Sequence, residues 1–243
     1  MTAFNQQSHL MNWISFSLKC FVALLLACAT GNAAEYVILS GGPALRKWED
    51  LRHVGEQHDR WWGNFVATAV TRAKEIKKAQ PELQVTWLVY TPAYSRRTAA
   101  DKKPLTSYIM EKSKYGIKVV PFSNGGDVIN YLNGRARGSI TGFEYFGHSN
   151  KFCFMFDYSS EIYGVSTAWL HQNDLKRLRG SVFASNAYCQ SWGCHTAEAM
   201  SDEWKRVTGV WLVGAIGKTD YTDLHLRNNR VALSSGAHWK RSP

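Results

Sequence analysis

The chain is short of several features that would settle its class at once. No stretch repeats and none is of low complexity, which excludes solenoids, propellers and disordered tails. There is no His-Glu-x-x-His and no paired Cys-x-x-Cys, so no metal site is expected and no cofactor is called for. Zinc-finger spacing, an RNP-type motif and a basic amphipathic helix are all missing, which leaves no basis for specific nucleic-acid recognition. Acidic residues are also scarce, 19 against 29 Lys and Arg. The basic excess is scattered, in Arg72–Lys78, Arg96-Arg97, Lys102-Lys103, Arg135–Arg137, Lys176–Arg179 and Lys240-Arg241, as on solvated faces rather than in one groove.

What is present suits one folded domain. Of 243 residues 45% are hydrophobic and 20% charged, and ten Trp, eleven Tyr and eleven Phe supply ample core volume. The first 34 residues differ from the rest. Lys19 is followed by the apolar run Cys20–Ala29 and then Gly31-Asn-Ala-Ala34, the pattern of an export signal cut after Ala34. The run is shorter than the ~20 residues of a permanent membrane span. Residues 1–34 therefore read as a signal peptide and 35–243 as a single domain, secreted or periplasmic. Leu25-Leu26-Ala27-Cys28 also looks like a lipobox, which would give a lipid-anchored protein attached to a membrane through Cys28. Beyond the signal, Cys153, Cys189 and Cys194 remain, an odd number that divides most simply into one disulfide and one thiol with a task.

The domain alternates apolar runs with amphipathic segments. Strands are expected at 36–40, 85–90, 117–122, 140–146, 181–186 and 209–216, with a hairpin-like pattern over 151–157. Asp59 is placed to cap a helix to about Lys78. Further helices are expected over 104–114, 166–178 and 193–207, with Asn124-Gly-Gly-Asp127 as turn and cap of a short helix to Leu132, while Thr91-Pro92 reads as a strand end and the tail beyond Asp223 as loop. This order predicts an α/β fold, a three-layer sandwich around a mostly parallel sheet. Functional groups in such sheets gather at the carboxyl ends of strands. His148, Cys189 and Asp220 all fall there.

A nucleophilic cysteine needs partial exposure and a base within reach. Cys189, after the strand 181–186, and His148, after the strand 140–146, form a candidate dyad. Two stretches, Phe143-Glu-Tyr-Phe-Gly-His148 and Val182-Phe-Ala-Ser-Asn-Ala-Tyr-Cys189, resemble the caspase-like superfamily of cysteine proteases, which includes caspases, legumain-type enzymes, gingipains and CHAT-domain proteins. Val165–Leu178 and Glu198–Ala215 resemble the elements on either side of that family's cysteine strand. The resemblance implies a cysteine endopeptidase acting on a protein or peptide substrate. Cys189 would attack, His148 would protonate the leaving amine, and the backbone N–H groups of Ser149 and Cys189 would hold the oxyanion. Asp220 and Asp223, after the last strand, would read a basic side chain beside the scissile bond.

Two departures from the family pattern leave alternatives open. Ser149 stands where members usually have Gly, and Cys194 is a second candidate nucleophile. A Cys153–Cys194 disulfide would leave Cys189 as the free thiol. The competing readings are a catalytically inactive binding module of the same fold and a serine hydrolase using Ser149. In the latter, Gly147-His-Ser149-Asn-Lys151 imitates a nucleophile elbow but lacks its second glycine.

Overall fold

The computed structural model describes residues 33–54, 57–158 and 167–241. Nearly all of the expected export signal, with Cys28, lies outside them, as does the start of the helix expected from Ser166. No described helix is long and apolar enough to cross a membrane.

Twelve strands are described: β1 (Glu35–Ser40), β2 (Gln84–Tyr90), β3 (Lys118–Phe122), β4 (Ile140–Phe146), β5 (His148–Ser149), β6 (Cys153–Asp157), β7 (Ala168–His171), β8 (Phe183–Ser191), β9 (Leu212–Ile216), β10 (Thr219–Asp220), β11 (Ala232–Leu233) and β12 (His238–Arg241). Seven form one sheet in the order β12-β9-β8-β4-β1-β2-β3. Every pairing in it is parallel except that of β12 with β9. Strands β5, β6 and β7 make a small antiparallel sheet beside it, and β10 pairs with β11.

The helices are α1 (Arg46–Leu51), α2 (Asn64–Ala79), α3 (Thr91–Asp101), α4 (Leu105–Met110), α5 (Gly125–Asn133) and α6 (Met200–Thr208). Strand alternation sends successive side chains to opposite faces, and two separate cores result. Val37 and Leu39 of β1 join Phe143 and Tyr145 of β4 with Val128, Ile129 and Leu132 of α5 and Met200 and Trp204 of α6. Tyr36 and Ile38 pack instead with Val66, Ala69, Val70 and Ala73 of α2 and with Tyr94 of α3. Helices therefore cover both faces of a mostly parallel sheet.

Several elements differ from expectation. Thr91-Pro92 opens α3 rather than ending the path, because proline fits the first turn of a helix. The segment expected as a helix to Leu178 forms β7 and a 3₁₀ turn, Gln172–Arg177. The tail returns as β12 on the sheet edge. Most consequential is β8. Its pairing with β4 jumps from Ile140–Phe183 to Gly142–Tyr188, so Ser185 and Asn186 belong to an irregularity inside the strand. The strand resumes and runs on to Ser191.

Candidate active site

The order in which strands are added to the sheet reverses at β1, whose neighbours are β2 on one side and β4 on the other. Loops leaving β1, β4, β8 and β9 at their carboxyl ends meet near this switch, the usual place for a site in such a sheet. A cavity of about 490 Å³ lies there, lined among others by His148, Ser149, Cys194, His195, Thr219 and Asp220.

His148 is fixed from both its backbone and its ring. The Tyr145 hydroxyl donates to the His148 carbonyl at 2.6 Å, and β5 pairs His148 with Met155. Gly147 permits this approach, since a Cβ there would lie 2.4 Å from the Tyr145 hydroxyl oxygen. Phe65 meets the imidazole edge-on at 5.1 Å and Tyr158 stacks on it at 4.7 Å. Nε2 lies 2.5 Å from Asp59 Oδ2. A carboxylate at Nε2 holds the ring proton there in the neutral tautomer, which makes Nδ1 the basic nitrogen.

Asp59 is fully buried and is not the helix cap expected of it. It sits on a 3₁₀ turn, His58–Arg60, and α2 begins only at Asn64 after Gly63. Its Oδ2 also accepts from the Ala44 N–H at 2.8 Å, and its own N–H donates to Glu49 Oε2 at 3.0 Å. Arg97, fully buried, donates to the carbonyls of Asp59 and Ala44 and pairs with Asp101. Burial, and then the Asp59 charge, push the Glu49 carboxyl above its ordinary value against the pull of Arg52. Nothing in the local pattern around Asp59 announces this role, because its partner lies 89 positions away.

Cys189 does not share this cavity. It sits inside β8 between Phe143 of β4 and Leu212 of β9 and is only 2% exposed, in the core with Trp204. Burial pushes its thiol up to about 12, which leaves almost no thiolate at neutral pH. The cysteine that follows the true end of β8 is Cys194, half-buried and on the wall of the cavity that His148 also lines. The Thr219 N–H donates to Cys194 Sγ at 3.4 Å, and the Thr219 hydroxyl lies at 3.4 Å. All three cysteines, Cys153, Cys189 and Cys194, are free, so the expected Cys153–Cys194 disulfide is not formed.

The turn carrying Cys194 is built to fit. The Trp192 N–H extends the pairing with β4 by donating to the Tyr145 carbonyl at 2.8 Å. A Cβ on Gly193 would lie 2.1 Å from Ser149 Oγ, so this position takes only glycine without rearrangement. Ser149 is buried, and its hydroxyl donates to the Cys194 carbonyl at 2.7 Å. That bond occupies the proton a serine nucleophile would give up. His195 adopts φ +62°, with its N–H on the Gly217 carbonyl and Nδ1 2.6 Å from Glu198 Oε1. Burial alone would raise the Glu198 carboxyl, but together the bonds from His195 and the Gly217 N–H and the charges of His195 and Lys151 carry it below its ordinary value.

Of the two expected specificity acids, Asp220 lines the cavity and Asp223 does not. The Asp220 carboxylate accepts from the Thr222 N–H and hydroxyl and pairs with Arg227 at 3.2 Å. A basic ligand would have to compete with that arginine. Asp223 is exposed, in the left-handed region at φ +47°. Among the described residues no group of three or more His, Cys, Asp or Glu side chains is arranged to hold a metal ion.

Compared with family models, curated proteins and solved structures, the chain matches none closely enough to assign it to a family, so its chemistry is argued from its own residues.

Proposed function

We propose that this protein is a cysteine hydrolase of caspase-like type that cleaves peptide bonds with Cys194 as nucleophile, His148 as base and Asp59 as the orienting carboxylate. The observation that carries the reading is the single cavity lined by Cys194 and by a His148 whose far nitrogen is held on a buried carboxylate. Nδ1 of His148 would take the Cys194 proton, and the thiolate would attack the peptide carbonyl. The imidazolium would then pass its proton to the departing amine. Water, deprotonated by the same nitrogen, would cleave the thioester. The N–H groups of Cys194 and Ser149 are the candidate oxyanion donors.

The caspase-like assignment is supported by the order of parts: a strand ending in Gly-His, a second strand followed by the cysteine, and both neighbours in one parallel sheet. The serine-hydrolase alternative is disfavoured by the buried, engaged hydroxyl of Ser149. Export, with release or lipid anchoring at Cys28, accompanies the reading and places the substrate outside the cytoplasm. Incubating the full chain with a mixed peptide library, followed by mass spectrometry, tests it. The expected result is cleavage lost in Cys194→Ala and kept in Cys189→Ala. No cleavage by either, with no Cys194 adduct from a peptidyl acyloxymethyl ketone, would leave the inactive binding module as the better reading.

A further inference from the structure

A fully buried carboxylate, Glu144, lies in β4 on the face opposite Cys189 and takes no part in the chemistry above. Its neighbours in the strand are Phe143, Tyr145 and Phe146, and an apolar side chain would avoid the cost of burying a charge. The charge is instead surrounded by donors. Arg72 Nε lies 2.6 Å from Oε1, the Tyr36 hydroxyl donates to the same oxygen, and Trp192 Nε1 donates to Oε2 at 2.7 Å. Burial alone would lower the Arg72 guanidinium, but Glu144 more than offsets this and raises it above its ordinary value.

Trp192 stands two residues before Cys194. Its ring stacks on Phe146 with 4° between planes and meets Trp239 of β12 edge-on. Its N–H is on the Tyr145 carbonyl, and its own carbonyl accepts from the Tyr221 hydroxyl at 3.1 Å. Tyr221 lines the Cys194 cavity and packs against Phe65, the residue edge-on to His148. Of these Trp192 contacts, the indole N–H bond is the one that reaches the buried charge.

We propose that Glu144 is a positioning residue: through its bond to Trp192 it sets the position of the turn that carries Cys194. The inference rests on Cys194 as the reactive thiol. A carboxylate paired with Arg72 is a strong acceptor, and a charge-assisted bond fixes the indole more firmly than stacking alone.

The test uses the full chain with Trp192→Phe, which keeps a ring on Phe146 and removes the donor, and Glu144→Gln, which keeps an acceptor and removes the charge. Two readouts are followed, amide hydrogen exchange of residues 192–195 and iodoacetamide alkylation of each cysteine. Trp192→Phe should speed local exchange and slow Cys194 alkylation by about tenfold, with Glu144→Gln intermediate. Cys153 and Cys189 should stay protected in both variants, because a merely unfolded chain would expose them. Unchanged exchange at 192–195, or equal exposure of all three thiols, overturns the proposal. If His148→Ala leaves Cys194 alkylation unchanged, the dyad fails, and the exchange readout alone still decides the role of Glu144.

Discussion

Cys189 and Cys194 stand five positions apart on one stretch of chain, and their surroundings are opposite. The first is clasped between two parallel neighbours, with its thiol raised to about 12 by burial. The second sits past the last ladder bond, where backbone turns away from the sheet and a cavity opens beside His148. A strand interior satisfies every backbone group and excludes water, which suits packing. A strand end leaves N–H groups and side chains pointing at solvent, which suits catalysis. The same residue type acquires its chemistry from which of these two it occupies.

Mutations can break that comparison. Cys194→Ala should abolish hydrolysis, a loss on the order of 10⁴-fold or more, while Cys189→Ala should leave turnover intact and cost about 1–2 kcal/mol of stability. Steady-state kinetics and denaturant unfolding of the two variants check both halves. Asp59→Asn keeps the shape but removes the charge that fixes the His148 tautomer. It should lower kcat by about 10²–10⁴-fold with little change in KM. Equal loss from a variant at exposed Asp223 would sink that assignment.

Glu49 gives a pH-dependent prediction. Its carboxyl pKa is raised in the folded protein, chiefly by burial and then by Asp59. The folded state therefore favours the protonated form. Stability should be complete below the ordinary carboxylate pKa and fall as pH rises through the raised value. Glu49→Gln should flatten that fall in unfolding curves taken from pH 4 upward. Smallest of all, Ser149→Ala removes the bond to the Cys194 carbonyl and should cost about 1 kcal/mol, with less than tenfold loss of rate. A complete loss there would revive the serine mechanism.

Much of the fold was legible in the chain. The apolar runs of β1, β2 and β4 marked strands of one sheet, and the cap expected in Asn124–Asp127 forms at the start of α5. The position of His148 was legible because β4 ends at Phe146, just before Gly147. The end of β8 was misplaced, since Ser185-Asn186 has the polarity of a turn yet lies within the strand, so the cysteine that borders the cavity is Cys194 rather than Cys189. The edge strand β12 was hidden because half of it, Lys240 and Arg241, is charged, as exposed edges often are. Asp59 was invisible as the partner of His148, since no local periodicity reports a contact between segments 89 positions apart.

The central claim is that the reactive thiol is Cys194, activated by His148. The most direct test alkylates the folded full chain with iodoacetamide at neutral pH and follows each cysteine by mass spectrometry. Cys194 should react far faster than Cys153 and Cys189 and should slow sharply in His148→Ala. Alkylation of Cys194 at the rate of an ordinary exposed thiol, indifferent to His148, or preferential alkylation of Cys189, would contradict the account.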